Sequence, residues 1–286
     1  MSERKTVIIS DSTCDIAPEM LKERDIKIIP LTVVFGEEKF RDSIDVTPDD
    51  VYAYYKNSGQ LAKTTAANID EHDAFIKEHV PAGNEAVYFS ISSDLSASFN
   101  NLRLATMDRD NVYIIDSRNL STGIGLLVLL AADLADEGKS AKEIYETVTS
   151  LIANVDASFV VDTLEYLHKG GRCSSVAALG ANLLKLKPLI QVKDGKMSVA
   201  KKYRGKINDV LKEYVNEKMN DENEIIGSRI FVTHSGGCEE IAKELRDIVK
   251  SKHPDKDVLI TRAGCTISVH CGPGTLGVLM IRKNAI

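Results

Sequence analysis

Short, unbroken apolar runs alternate with amphipathic stretches through the first half of the chain. That rhythm predicts a mostly parallel sheet covered by helices on both faces. Val7 to Ser10 reads as a buried strand, after which Asp11-Ser12-Thr13 and Asp15 lead into a helix through Met20 and Leu21. Ile26 to Phe35, rich in β-branched residues, reads as one second strand. Thr47-Pro48-Asp49-Asp50 offers an N-cap, a proline at the first helical position and an acid at the third, a capping-box start. A further helix is expected over Asp70 to His79, closed by Pro81-Ala82-Gly83. Val87 to Ile91 and Val112 to Ile115 are two more buried strands, each followed by a serine-rich turn and a helix. In such a sheet the loops beyond the strands' carboxyl ends host ligands, so those starting at Asp11, Ser92 and Asp116 should converge.

Two helical stretches follow, about Gly123 to Asp136 and Ala141 to Asn154, and then the rhythm changes. From Ala157 on, the pattern predicts a strand to Asp162, a helix, a glycine turn at Gly170-Gly171 and another helix ending before Pro188. A hairpin comes next: Leu189 to Lys193, the turn Asp194-Gly195, and Lys196 to Tyr203. Strands near Ile230 to Thr233, Asp257 to Thr261 and Leu276 to Ile281 complete a mixed sheet. The expected architecture is therefore α/β in two domains, residues 1–155 with a mostly parallel sheet flanked by helices and residues 156–286 with a mixed α/β sheet.

Composition narrows the function classes. With 286 residues, 43% hydrophobic and 27% charged, the chain has the balance of an ordinary globular protein long enough for two cores. A formal net charge of -6 argues against a nucleic-acid partner. The densest basic stretch, Lys193 to Lys206, is broken by Asp194 and apolar residues and reads as a solvated hairpin. The N-terminal residues lack a signal-peptide core, and the longest apolar run, Gly123 to Ala132, spans ten residues, too short for a bilayer. Five cysteines without a CxxC pair point to reduced thiols and a cytoplasmic setting. Cys265 and Cys271 flank His270, but their spacing fits no zinc pattern, and no metal is expected.

No complete catalytic signature is present: the chain lacks G-x-S-x-G, the P-loop and H-E-x-x-H. Gly123-x-Gly125 is half a dinucleotide fingerprint and reads instead as small residues that let a helix pack closely. The chemistry on offer is a set of neutral donors at loop tips: Thr64 and Thr65, the serines at 92, 93, 96 and 98, and His270 ahead of Gly272-Pro273-Gly274. Hydroxyls at helix starts suit an anion, because free N–H groups and the helix dipole point the same way.

In order along the chain these segments resemble the DegV family, fatty-acid-binding proteins that serve as acyl carriers for bacterial fatty acid kinase. The likeness runs through Asp11-Ser12-Thr13-Cys14-Asp15, Lys63-Thr64-Thr65 and Ile91-Ser92-Ser93-Asp94-Leu95-Ser96. It continues through Asp116-Ser117 with Ser121-x-Gly123-x-Gly125, Leu164-Glu165-Tyr166-Leu167 with Gly170-Gly171-Arg172, and His270 with Gly272-Pro273-Gly274. The chain departs from the family pattern at Ala66-Ala67-Asn68, at Ala97, and around His270, where Ser268, Val269 and Cys271 stand.

The resemblance implies a long-chain fatty acid buried between the two domains, its carboxylate meeting Thr64, Ser96 and His270, with Thr65 and Ser93 close by. Arg172 and Arg204 would lie near the ligand entrance, where a separate kinase acts. Asp11, Ser12 and Thr13 would organise the loops. No cofactor is implied, and membrane contact would be transient, to collect the ligand. The competing reading is a hydrolase or acyltransferase in which Ser96 or Thr64 is the nucleophile and His270 its base, which requires a third group orienting the histidine.

Overall fold

The computed structural model of the chain describes residues 5–173 and 186–284. The first sheet is four-stranded and all parallel, with order β2-β1-β6-β7. Its strands are β1 (Thr6–Asp11), β2 (Lys27–Ile29), β6 (Glu85–Ser90) and β7 (Val112–Asp116). Strand alternation sends successive side chains to opposite faces. Val7, Ile9, Ala86 and Tyr88 pack with Ile76 of α3 (Ile69–His79) and Leu102 of α4 (Ser98–Ala105). Ile8, Val87, Phe89 and Ile115 pack instead with Ile124 and Leu127 of α5 (Thr122–Asp136) and Ile144 of α6 (Ala141–Ser150).

The second sheet is six-stranded and mixed, ordered β10-β9-β8-β13-β11-β12, with only β11 and β12 paired in parallel. It comprises β8 (Val155–Val160), β9 (Lys187–Lys193), β10 (Lys196–Tyr203), β11 (Ile225–His234), β12 (Asp257–Arg262) and β13 (Leu276–Arg282). One face turns Ala157, Phe159, Ile190 and Leu279 toward α5. The other buries Ile230, Val232, Val278 and Met280 against α8 (Ile207–Met219) and α9 (Glu239–Lys252). Helix α5 thus touches β1 and β6 on one side and β8, β11 and β13 on the other. Its buried residues include an unbroken run from Thr122 to Leu129, as a helix held between two layers requires.

The expected hairpin forms: Asp194 and Gly195 both have positive φ, at 50° and 79°, which the tight primed turn between β9 and β10 demands. The capping box also forms, with Thr47 and Asp50 bonding reciprocally at the start of α2 (Pro48–Ser58). The helix expected before Pro188 falls in 174–185, outside the described residues.

Two expectations are corrected. Ile26 to Phe35 is not one strand, because Pro30 lacks the N–H a continuing ladder needs. The chain leaves the parallel sheet after β2 and starts an antiparallel three-stranded sheet ordered β4-β3-β5, from β3 (Thr32–Phe35), β4 (Glu38–Arg41) and β5 (Lys63–Thr65). The residues before Gly272 are not a loop but a helix, α10 (Cys265–Cys271), whose Cys265 and Val269 share an apolar cluster with Val33 of that small sheet and Val51 of α2. Among the described residues no helix is long and apolar enough to cross a membrane.

Candidate functional site

The loops at the carboxyl ends of the parallel strands converge, and carboxylates tie them together. Asp11 accepts from the Ser90 hydroxyl at 3.1 Å and the Ile91 amide at 2.8 Å. Asp116 accepts from the amide and hydroxyl of Ser93, at 3.1 and 2.5 Å. These bonds set the 92–96 loop so that the Ser96 oxygen accepts from the Ser98 amide at 3.2 Å, which leaves its own O–H to donate. The hairpin closes over this edge. Ser92 donates to the Gly195 carbonyl at 2.8 Å, and Arg118 donates to the Asp194 carbonyl.

Helix α10 is positioned by a carboxylate distant in sequence. Asp42 accepts from the amides of Cys265 (2.8 Å) and Thr266 (3.2 Å), satisfying N–H groups that a helix start leaves open. The helix carries His270 to β5, where its Nε2 lies 3.0 Å from the Thr64 hydroxyl oxygen. The ring's other nitrogen, Nδ1, is buried with no hydrogen-bond partner. It faces Gly170, the last residue of α7 (Glu165–Gly170), so closely that a Cβ there would lie 2.5 Å from it. A buried N–H without an acceptor costs more than it returns, so the network assigns the proton to Nε2. Nε2–H then donates to Thr64, and the threonine keeps its O–H for a ligand. Burial, reinforced by the Arg172 charge, pulls the His270 pKa down to about 4, so the imidazole is neutral at physiological pH.

These groups stand in the wall of a cavity of about 170 Å³ that opens to the surface. Leu31, Ile91, Leu95, Leu120, Met197 and Ile267 supply its apolar lining. Thr64, Thr65, Ser96, Arg172, Thr266 and His270 supply the polar groups. Polarity falls along its length. Leu120, Ile267 and Cys271 also border a second, smaller hollow of about 30 Å³ beside Phe159 and Leu279. Leu95, Arg172 and Met197 are shared with an outer hollow that also carries Asp94 and Lys196.

Five of the seven residues singled out from the sequence line this cavity, and two do not. Ser93 is held by Asp116 and by Arg118 Nη1 at 3.1 Å, so it shapes the loop rather than the wall. Arg204 borders a separate surface depression with Lys202 and Tyr203, because β10 carries it away from the mouth. Thr64 and Thr65 sit on a paired strand rather than at a loop tip. Thr266 was missed by sequence reasoning. It lies one turn before His270 on α10, its buried hydroxyl has no partner, and it lines the cavity. No carboxylate backs His270, whose Nδ1 has no partner, so the orienting third member of a catalytic triad is missing from the described residues. No group of side chains suited to a metal occurs among them either.

The model of the family described as "Uncharacterised protein, DegV family" matches residues 5–283. The chain belongs to the DegV family. A DegV domain-containing protein of Clostridium perfringens is 32% identical over 97% of this chain and 98% of its own. Among solved structures, a fatty-acid-binding DegV family protein from Thermus thermophilus superposes with a TM-score of 0.86 at 25% identity, covering 97% of this chain and 99% of that one. A stearic-acid-binding protein from Eubacterium ventriosum gives 0.81 at 29% identity, covering 96% and 98%. The α/β architecture described above is shared with these two structures.

Proposed function

We propose that the chain holds one long-chain fatty acid in this cavity and presents its carboxylate, at the mouth, to a separate kinase that converts it to an acyl phosphate. The observation that carries the reading is the gradient of the cavity: neutral donors at Thr64, Ser96 and His270 near the opening, and an apolar continuation past Leu120 and Ile267. Fatty-acid binding by the Thermus thermophilus and Eubacterium ventriosum proteins supports it.

The energetics fit an alkyl chain. Each buried methylene contributes roughly 0.8 kcal/mol, so a dozen supply ~10 kcal/mol before the costs of immobilisation. Affinity resides in the tail, and the head-group donors fix orientation. Thr64 and Ser96 each have an O–H to give, and neither needs a buried charge to compensate the carboxylate. Arg172 at the mouth is the cation nearest this function and a natural contact for the kinase; Arg204, on its separate depression, would extend that contact across the surface. The protein works in the cytoplasm in this reading, with brief membrane contact to collect its ligand, and the nucleotide chemistry belongs to the partner.

Native purification, solvent extraction and mass spectrometry of the released lipid test the binding. A near-stoichiometric fatty acid that is depleted in Thr64→Ala, Ser96→Ala and His270→Ala is expected. Kinase presentation is tested separately by adding a fatty acid kinase and nucleoside triphosphate and trapping product with hydroxylamine. Absence of any acyl lipid, and none taken up on incubation, would refute the carrier reading; bound lipid without hydroxamate would refute only the kinase step.

A further inference from the structure

Hydroxyls border both the head-group cavity and the smaller hollow beyond it, but those of the inner hollow are all engaged by the protein itself. Ser121 donates to Asp15, and Thr275 donates to the Cys271 carbonyl at 3.0 Å. Thr233 shares a 2.6 Å hydrogen bond with Thr122, and Ser235 donates to the Gly272 carbonyl at 2.5 Å. To a ligand this inner wall presents no spare hydroxyl.

Thr266 differs. It borders the head-group cavity, is 5% exposed, and its Oγ1 is buried with no hydrogen-bond partner. Ser10 and Ser98 are also buried without a partner, but neither lines this cavity. A threonine inside a helix ordinarily returns its hydroxyl to a carbonyl three or four residues back. Thr266 is the second residue of α10, so no helical turn stands behind it. Ser268, two residues on, does reach back, to the Ala263 carbonyl at 3.3 Å. The nearby carboxylate of Asp42 is no alternative. It already accepts from the Ser12 and Ser43 hydroxyls and from the Cys265 and Thr266 amides, which fills its lone-pair sites. A buried hydroxyl left unpaired opposes folding, so one standing in a cavity wall points to a partner that arrives with the ligand.

We infer that Thr266 is a specificity-determining residue that hydrogen-bonds a hydroxyl carried by the fatty acid close to its carboxylate, so that the preferred ligand is a β-hydroxy long-chain acid. The inference rests on the carrier reading above and deepens it. Thr266 and His270 lie one turn apart on the same face of α10, with β-carbons about 5–6 Å from each other. A carboxylate held at Thr64, Ser96 and His270 brings the first few carbons of its chain beside Thr266. Rotation about the Cα–Cβ bond turns Oγ1 toward the ligand without moving the helix. A hydroxyl both donates and accepts, so the two groups satisfy each other with no buried charge. Farther in, beside Phe159 and Leu279, an added oxygen finds no such partner among the engaged hydroxyls.

The experiment uses the delipidated full chain and three probes of equal length: palmitic acid, each enantiomer of its β-hydroxy derivative, and its ω-hydroxy derivative. Dissociation constants are measured for wild type, Thr266→Val and Thr266→Ser. Wild type is expected to bind one β-hydroxy enantiomer about five- to tenfold more tightly than palmitic acid. In Thr266→Val the ratio of those two constants should fall to about one, and Thr266→Ser should restore it. The ratio for the ω-hydroxy acid should be the same in all three proteins. If wild type shows no preference for the β-hydroxy acid, or if the preference survives in Thr266→Val, the inference is overturned while the carrier reading stands. A ratio for the ω-hydroxy acid that falls as far in Thr266→Val overturns it too, because the threonine would then act on any hydroxylated chain. If wild type binds none of the probes, the carrier reading falls first, and the role of Thr266 with it.

Discussion

Two adjacent glycines, Gly170 and Gly171, separate a steric requirement from a conformational one, and a pair of alanine variants tests the head-group geometry through them. At Gly170 the backbone is ordinary, but an added Cβ would lie 2.5 Å from His270 Nδ1, far inside contact distance. At Gly171 there is nothing within 4 Å, but φ is +67°. Gly170→Ala gains up to about 1 kcal/mol of helix propensity and incurs an overpacking cost of roughly 1–3 kcal/mol. A net destabilisation of about 0–3 kcal/mol follows. Nδ1 and Nε2 point to nearly opposite sides of the ring, so sliding away from Gly170 would press Nε2 into Thr64; the ring must rotate instead, and a displacement of Nε2 by about 1 Å out of line is enough to break the 3.0 Å contact. Losing that bond, worth about 1 kcal/mol, should weaken fatty-acid binding roughly five- to tenfold. Gly171→Ala should cost about 1–2 kcal/mol of stability for its left-handed backbone and leave affinity alone. Urea unfolding measures the first quantity, displacement of a fluorescent fatty acid the second, and imidazole 15N shifts report the tautomer. The reasoning fails if Gly170→Ala keeps wild-type affinity and unchanged ring shifts, or if Gly171→Ala loses as much affinity.

Three further outcomes are expected. Burial, opposed by bonds from Ser121 and the Gly264 amide and abetted by Asp42 and Asp11, raises the Asp15 pKa from 3.8 to about 8. Between those values the folded state keeps a proton that the unfolded state has released, so this group's contribution falls as pH rises and is fully lost above about 8. Urea titrations across that range should find wild type losing stability relative to Asp15→Asn by about 1.4 kcal/mol per pH unit, and parallel profiles would contradict the assignment. Because His270 is neutral down to about pH 4, fatty-acid affinity should pass through the ordinary histidine range without a step. A drop centred near pH 6.5, read by ligand displacement, would mean that a charged imidazole binds the carboxylate. Thr266→Val replaces an unpartnered buried hydroxyl by a methyl and should stabilise the ligand-free protein by about 1 kcal/mol. It should also weaken fatty-acid binding measurably if that hydroxyl serves the ligand, and calorimetry on the same samples reads both.

The sequence was most informative where structure is local. The short apolar runs of β1 and β6, the Asp194-Gly195 turn and the Thr47–Asp50 box each lie within a few residues, and each formed. Two other capping boxes, Asn68 with Glu71 and Ser140 with Glu143, were equally local and could have sharpened the helix starts. Helix α10 could not be read this way. Its residues, Cys-Thr-Ile-Ser-Val-His-Cys, include β-branched ones of modest helix propensity, and the carboxylate that caps it belongs to Asp42. Missing the helix hid the one-turn relation between Thr266 and His270. Pro30 was a visible signal to divide the stretch 26–35, and without that division the small sheet that carries Thr64 stayed out of view. The donors themselves were legible as residue types; which of them face a common space depended on contacts such as Thr64 with His270, more than two hundred positions apart.

Helix α5 has a consequence for how the molecule comes apart. It is buried between the two sheets, and the largest apolar cluster runs through it from Phe89 and Ile115 on one side to Phe159 and Leu279 on the other. A chain severed near residue 155, where the second sheet begins, would leave α5 with one of its apolar sides in water. The halves should therefore melt as one cooperative unit and aggregate when expressed singly. Because the cavity lies along the same seam, a ligand present at a hundredfold excess over its Kd would raise that single transition by about 2.7 kcal/mol rather than protecting one half alone.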